Sequence, residues 1–173
     1  DAPQSCNLDG GGWWSHANAL DYDPIQDVFY VSLRNFHSIL KIRHSGEVEW
    51  VLGGCLSTSV FVGDPENGPA PQHQFQMLGD HILVFDNGSI DRGYSRAVEY
   101  SLEEPEEAQL ISSYIPDPPV QSVVLGDVEP REDGHTLVVI GTAAQIDEID
   151  ASNQLIWRLN ADVGFGFGYM SQE

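Results

Sequence analysis

Ile82-Leu83-Val84-Phe85 is one of three short hydrophobic runs in this chain, and each run is followed by two further strand-like segments. The other runs are Val28-Phe29-Tyr30-Val31-Ser32 and Leu137-Val138-Val139-Ile140. The segments that follow the three runs, in chain order, occupy residues 38–42 and 47–52, 96–100 and 108–113, and 145–149 and 154–159. One more candidate strand precedes each run, at residues 17–20, 74–78 and 122–125. Four short antiparallel strands that recur roughly every 40 to 55 residues are typical of the blades of a β-propeller.

The repeat predicts an all-β fold, a β-propeller built from four-stranded antiparallel blades. Three blades, at about residues 13–54, 72–114 and 121–160, make residues 1–173 a single partial propeller domain. Propellers typically close with about 4 to 8 blades, so three blades cannot form a ring. We therefore expect either that the remaining blades belong to a longer chain or that several copies of this chain associate to complete the ring.

The composition excludes two classes of partner. The chain has 7 basic and 27 acidic residues and a net charge of −20, so its surface repels nucleic acid and anionic membranes. No apolar run approaches the length of about 20 residues that a spanning helix needs, and we predict no membrane-spanning segment. The acidity is equally compatible with a high-salt habitat and with an ordinary acidic secreted protein.

Cys6 and Cys55 are the two cysteines of the chain. A disulfide between them would require Cα atoms within about 7 Å, and it would indicate an oxidising compartment. Two unpaired thiols are the alternative. Because the sequence begins with Asp1 rather than Met, we expect processing or truncation, and the terminus does not define the localisation.

Two histidines occupy matching positions in the first two blades. His16 directly precedes the innermost strand of blade one, and His73 lies at the same point of blade two. The innermost strands of a propeller line a central channel, so equivalent side chains of adjacent blades converge there. We therefore predict that these two imidazoles face each other, the alternative being that each is a structural histidine.

Arginine and asparagine side chains occupy nearby positions. Arg34 and Asn35 follow the second strand of blade one, and Arg96 opens the third strand of blade two. A guanidinium group suits an oxyanion such as sulfate, phosphate or carboxylate, although an ion pair with a neighbouring carboxylate is the alternative for each arginine. Asn87 lies in Phe85-Asp86-Asn87-Gly88, a pattern that is also typical of a turn.

Other catalytic and metal-binding patterns are missing from the sequence. It contains no phosphate-binding Walker loop, no Gly-x-Ser-x-Gly elbow and no His-Glu-x-x-His helix. His16 and His73 could serve a metal-dependent hydrolase or lyase, but two ligands are too few without others from missing blades. We expect neither a metal nor a cofactor.

Several short motifs follow one another along the chain in a fixed order. They are Trp14-x-His16-x-Asn18, Ser32-Leu33-Arg34-Asn35, Trp50-Val51-Leu52-Gly53-Gly54, Gln72-His73, Phe85-Asp86-Asn87-Gly88 and Ser95-Arg96-Ala97-Val98-Glu99-Tyr100. Together they resemble the arylsulfotransferase family, over about residues 13–157. The resemblance implies a six-bladed propeller that is periplasmic, secreted or membrane-anchored. It also implies transfer of a sulfuryl group between small phenolic compounds, with an aryl sulfate rather than a nucleotide as the donor.

In that family a channel histidine is transiently sulfated, with the help of further histidines and an arginine. The motifs match His16 and His73 to the helper histidines and Arg96 to the arginine. Asn18, Arg34, Asn35 and Asn87 are then the candidates for substrate binding. A neutral imidazole is a competent nucleophile near pH 7, and a guanidinium can hold the sulfuryl oxygens as their charge changes.

One feature departs from the family pattern. The nucleophilic histidine is expected on the next inner strand, around residues 121–128, and this stretch contains no histidine. Two hypotheses follow, with the periplasm or the extracellular space as the expected location for both. The first is a sulfotransferase-like enzyme acting through His16, His73 and Arg96. The second is a non-catalytic propeller that keeps the scaffold as a binding or interaction module.

Overall fold

The computed structural model describes residues 14–104, 106–164 and 166–169, and the strands among them form three β-sheets. The first sheet contains β1 (Ala17–Asp23), β2 (Val28–Leu33), β3 (Ser38–Arg43) and β4 (Val48–Leu52), paired in that order. The second contains β5 (Val60–Val62), β6 (Gln72–Leu78), β7 (His81–Asp86), β8 (Arg96–Ser101) and β9 (Glu107–Tyr114). The third contains β10 (Asp127–Pro130), β11 (Thr136–Ile140), β12 (Gln145–Ile149) and β13 (Leu155–Asn160).

Each sheet contains the predicted meander of four antiparallel strands, so the chain folds as three blades of a β-propeller. Helical structure among the described residues is limited to two 3₁₀ turns, Arg34–Phe36 after β2 and Gly141–Ala143 after β11. These turns occupy the same place in blades one and three, which extends the repeat beyond the strands.

None of the helical segments in the described part of the chain is long and apolar enough to cross a membrane.

Two features of the strand pattern differ from the prediction. The first strand of blade three was predicted at residues 122–125, but β10 begins at Asp127. Leu125 has a φ of +62°, which is incompatible with a strand, and Gly126 follows with a φ of +123°. In addition, blade two gains β5 from the connection between blades, because this short segment pairs in parallel with β9.

Blade two is buried on both faces, because successive side chains of a strand point to opposite sides of the sheet. On one face of β7, Ile82 and Val84 pack against a cluster that includes Val28 and Tyr30 of blade one. On the other face, Leu83 and Phe85 pack against Val128, Val138 and Ile140 of blade three. The middle blade therefore joins the other two, and its innermost strand, β6, lies next to both β1 and β10.

The outer faces of blades one and three have no blade against them in the described residues. On blade one, Leu20 and Tyr22 are 67% and 43% exposed. On blade three, Trp157 is 47% exposed, although its counterpart Trp50 in blade one packs against the core between blades one and two. Trp157 thus occupies the position equivalent to that of Trp50, on a face that these three blades leave uncovered.

Cys55 forms a disulfide bond. Cys6 lies outside the described residues.

Candidate functional site

His16 and His73 lie close together at the inner ends of blades one and two. The centroids of their rings are 6.1 Å apart, and the ring planes are nearly perpendicular, at 82°. His16 immediately precedes β1 with a φ of +46°, and His73 is the second residue of β6. The contact between these two inner strands brings together two side chains that are distant in the sequence.

Arg34 and Asn35 hold the loop that carries His16. The Arg34 backbone N–H donates to the His16 carbonyl at 3.1 Å, and the Asn35 N–H donates to the Ser15 carbonyl at 3.3 Å. The Arg34 side chain also donates from Nη1 to Oδ1 of Asn35, at 3.3 Å. The 3₁₀ turn after β2 therefore places Arg34 close enough to the histidine pair for its positive charge to act on His73.

His73 is 2% exposed, and both of its ring nitrogens are hydrogen-bonded. Nδ1 lies 2.6 Å from Oδ1 of Asn87, and Nε2 accepts the backbone N–H of Leu125 at 3.1 Å. Burial lowers the pKa of His73 to about 4, and the positive fields of Arg34 and His16 act in the same direction, against the opposing bond to Asn87. His73 is therefore neutral at physiological pH.

Asn18 joins blades one and two beside this pair. Its Nδ2 donates to the carbonyl of Gln72 at 2.8 Å. Its Oδ1 is buried and has no hydrogen-bond partner among the described residues. The Gln72 side chain in turn donates to Ser32 Oγ and to the Ser38 carbonyl, both at 3.1 Å. The part of this interface next to the histidine pair is therefore polar.

Arg96 belongs to a different network, in the interface between blades one and two. Its Nη1 and Nη2 donate to the two carboxylate oxygens of Asp64 at 2.8 and 2.9 Å, and its Nε donates to Asp86 at 2.7 Å. Arg96 is 2% exposed. Although burial raises the pKa of Asp64, the hydrogen bonds from Arg96 and Tyr100 lower it well below its usual range. Arg96 thus forms an ion pair with neighbouring carboxylates, which was the alternative to an oxyanion site. Its predicted catalytic role stays a prediction.

The stretch where a nucleophilic histidine was expected contributes backbone groups to the site. The N–H of Leu125 binds His73, and the carbonyls of Ser122 and Leu125 accept from Nδ2 of Asn87, at 2.7 and 2.8 Å. Sequence reasoning missed these contacts because backbone groups leave no residue signature. Ser122-Val123-Val124-Leu125 resembles a strand in composition, and only its turn conformation brings these groups to His73.

Metal binding by the histidine pair is disfavoured, since both nitrogens of His73 already have partners. Another group, Asp133 and His135 of the β10–β11 hairpin and Glu148 of β12, has ligand atoms within 4.8 Å of one another. Here His135 Nδ1 lies 2.8 Å from a Glu148 carboxylate oxygen, and this hydrogen bond raises the pKa of the imidazole. An equivalent pair, His81 and Glu99, occurs in blade two at the same distance of 2.8 Å. A histidine–glutamate hydrogen bond that recurs in two blades explains this cluster without a metal.

The buried network around Arg96 predicts a large loss of stability when this arginine is removed. Arg96→Ala would leave the buried carboxylate of Asp64 without its counter-charge and Asp86 with Arg92 alone, and we expect the free energy of unfolding to fall by about 3 to 5 kcal/mol. Arg43→Ala is the matched control, because its ion pair is 53% exposed on the arginine side and is expected to contribute less than about 1 kcal/mol. Urea denaturation of both variants measures the difference, and equal small losses would contradict a stabilising role for the network.

The lowered pKa of His73 predicts a dependence of stability on pH. Below its ordinary pKa of 6.5, this histidine binds a proton in the unfolded chain, whereas the folded protein resists protonation until the pH reaches about 4. The free energy of unfolding should therefore fall as the pH is lowered from 6.5 to 4, by about 3 kcal/mol from this residue. Urea denaturation across this range, compared with His73→Gln, isolates the contribution. A difference between the two proteins that stays constant over the range would show that His73 is not kept neutral by the fold.

Three solved structures share the fold of this chain and have little sequence similarity to it. A streptogramin B lyase matches with a TM-score of 0.58 at 13% identity, over 86% of this chain and 42% of its own. A Bacteroides caccae protein of unknown function matches at 0.57 and 15% identity, over 88% and 48%. U3-55K matches at 0.57 and 13%, over 89% and 41%. The chain thus spans less than half the length of each of these proteins, and at such identities the matches establish the fold alone.

No curated protein matches the chain in sequence. The sequence model described as Arylsulfotransferase (ASST) matches residues 4–165, which cover most of the chain and all three blades. This match agrees with the motifs around His16, His73 and Asn87. The chain therefore belongs to the arylsulfotransferase family.

Proposed function

We propose that this chain forms part of a sulfotransferase-like propeller whose central site binds the sulfuryl group of an aryl sulfate. The observation that carries the proposal is the contact of His16 with His73, at a centroid distance of 6.1 Å, with Arg34 held beside them. This is a local concentration of basic side chains in a protein of net charge −20. Membership of the arylsulfotransferase family supports the class of reaction.

His16 is the nucleophile in this proposal, because the two nitrogens of His73 are engaged by Asn87 and Leu125. A lone pair of the His16 imidazole attacks sulfur, and the bond between sulfur and the aryl oxygen breaks with its electrons on the leaving phenolate. The oxygen of a second phenol then attacks the same sulfur, and the N–S bond breaks to restore the imidazole. The proton lost by the incoming phenol balances the one gained by the departing phenolate.

Arg34 is the proposed ligand of the sulfuryl oxygens, since a guanidinium donates charge-assisted hydrogen bonds to tetrahedral oxyanions. Asn35 orients it through the bond to Nη1. Arg96 supports the site from outside by holding Asp86, the residue that precedes Asn87. Asn18 contributes its buried Oδ1 at the edge of the same region.

The uncovered faces support a ring completed by further blades. Leu20 and Tyr22 on blade one and Trp157 on blade three are exposed to solvent. In the interface between blades one and two, by contrast, apolar side chains are buried. The remaining blades of a longer polypeptide are the proposed cover, with self-association of this chain as the alternative.

The disulfide of Cys55 supports a periplasmic or extracellular location, where thiols are oxidised.

A non-catalytic binding module is the second candidate. It is favoured by the missing histidine in residues 121–128 and by the full hydrogen bonding of His73. In this case the site would bind an aryl sulfate or a sulfate ion through Arg34 and His16 without turnover.

Release of the chromogenic phenol from 4-nitrophenyl sulfate, measured with and without a second phenol, tests the proposal on the full-length protein. We expect turnover that depends on the acceptor phenol. His16→Ala should lower kcat by about three orders of magnitude or more, because it removes the nucleophile. Arg34→Ala should lower kcat/KM by about 100- to 1,000-fold, because it removes a donor to the transferred group.

His44→Ala is the control for these variants. Its imidazole is exposed on an outer loop of blade one, where it pairs with Asp27, and its removal should leave turnover unchanged. Full activity of His16→Ala would contradict the assignment of the nucleophile. Binding of the aryl sulfate that weakens in Arg34→Ala, without any turnover, would favour the binding module instead.

A further inference from the structure

The side chain of Asn87 connects His73 to the segment that leads into blade three. Asn87 follows β7 and is fully buried. Its Oδ1 faces Nδ1 of His73 at 2.6 Å, and its Nδ2 faces the carbonyl oxygens of Ser122 and Leu125 at 2.7 and 2.8 Å. One carboxamide therefore contacts both His73 and the segment that leads into blade three.

The two carbonyl oxygens determine which way this carboxamide points. A carbonyl oxygen can only accept a hydrogen bond, so the NH₂ group of Asn87 must face Ser122 and Leu125. A reversed amide would place its oxygen against two other oxygens. The oxygen of Asn87 must then face His73, and Nδ1 of His73 must carry the proton that it accepts.

The other ring nitrogen gives the same tautomer independently. The backbone N–H of Leu125 is a donor, and it lies 3.1 Å from Nε2 of His73. Nε2 must therefore offer a lone pair. Protonation of Nε2 would set two N–H groups against each other, so the imidazolium form of His73 cannot keep this hydrogen bond.

The segment that supplies these groups is fixed on both sides. Ser122 N–H donates to Ser95 Oγ at 2.9 Å, and Ser95 Oγ donates to the Asn87 carbonyl at 2.8 Å. The backbone N–H of Thr142, in blade three, donates to Ser122 Oγ at 2.9 Å. The carbonyls that orient Asn87 are thus held by both blade two and blade three.

We propose that Asn87 is a positioning residue that holds His73 as the neutral Nδ1–H tautomer, so that His73 orients the site without exchanging protons. The bearing of this inference on catalysis rests on the proposed sulfuryl transfer, in which His16 then carries the chemistry, but the tautomer itself does not depend on it. The charged and titratable groups that act on the ring are Arg34 and His16, and both oppose its protonation.

NMR of the full-length protein with ¹⁵N-labelled histidine tests the inference directly. The His73 signals are assigned as those that disappear in His73→Gln. We expect Nδ1 to have the chemical shift of a protonated ring nitrogen and Nε2 that of an unprotonated one, both unchanged from pH 8 to pH 5. His135 serves as the internal control, because its pKa is raised by Glu148 and its signals should titrate in the same spectra.

Asn87→Asp provides the contrasting variant. A carboxylate can still accept the Nδ1 proton, but it adds a negative charge next to the ring and cannot donate to Ser122 or Leu125. We expect the pKa of His73 to rise by about 1 to 3 and its signals to titrate within the same range of pH.

Two results would overturn the inference: an Nε2–H tautomer in the wild-type protein, or titration of wild-type His73 near pH 6.5. Both can be recognised whether or not the variant folds. If sulfuryl transfer is absent but His73 has the expected tautomer, the proposed function is wrong and the positioning role of Asn87 stands. If acceptor-dependent transfer occurs but His73 titrates, the positioning role is wrong and the proposed function stands.

Discussion

The alternation of side chains along the strands of blade two is the constraint on which the rest of the structure depends. Because neighbouring residues of β7 point to opposite faces, Ile82 and Val84 bury against blade one while Leu83 and Phe85 bury against blade three. This packing stacks three blades around one side of an axis. The inner strands then meet, and His16, Arg34 and His73 come together from two different blades.

The basic groups of the chain serve two different purposes. Arg96 neutralises Asp64 and, together with Arg92, also Asp86 inside an interface, where unpaired carboxylates would be costly to bury. Arg34 instead lies beside the histidine pair, and its field opposes protonation of His73. The sequence position of an arginine, close to a predicted channel, is therefore not enough to identify an anion-binding site. Its role depends on whether buried carboxylates lie next to it in the fold.

The sequence predicted most of the fold because hydrophobic runs and the strand-like segments around them recur in the same order in each blade. It was wrong about residues 122–125, where valine and leucine favour a strand but Leu125 adopts a positive φ. It missed β5, whose three residues are too few to show a period. The meeting of His16 and His73 followed from the equivalence of their positions. The surroundings of Arg96 did not, since Asp64 precedes it by 32 residues and reaches it only after the connection between blades has folded back.

The convergence of the inner strands is tested most directly by the distance between the two histidines in solution. A ¹³C-edited NOE spectrum of the full-length protein, with the ring protons assigned from His16→Ala and His73→Gln, measures this proximity. We expect cross-peaks between the ring protons of His16 and His73, since the centroids are 6.1 Å apart and the rings meet edge to face. If the signals of both rings are resolved and show no cross-peak, blades one and two do not bring these residues to a common site.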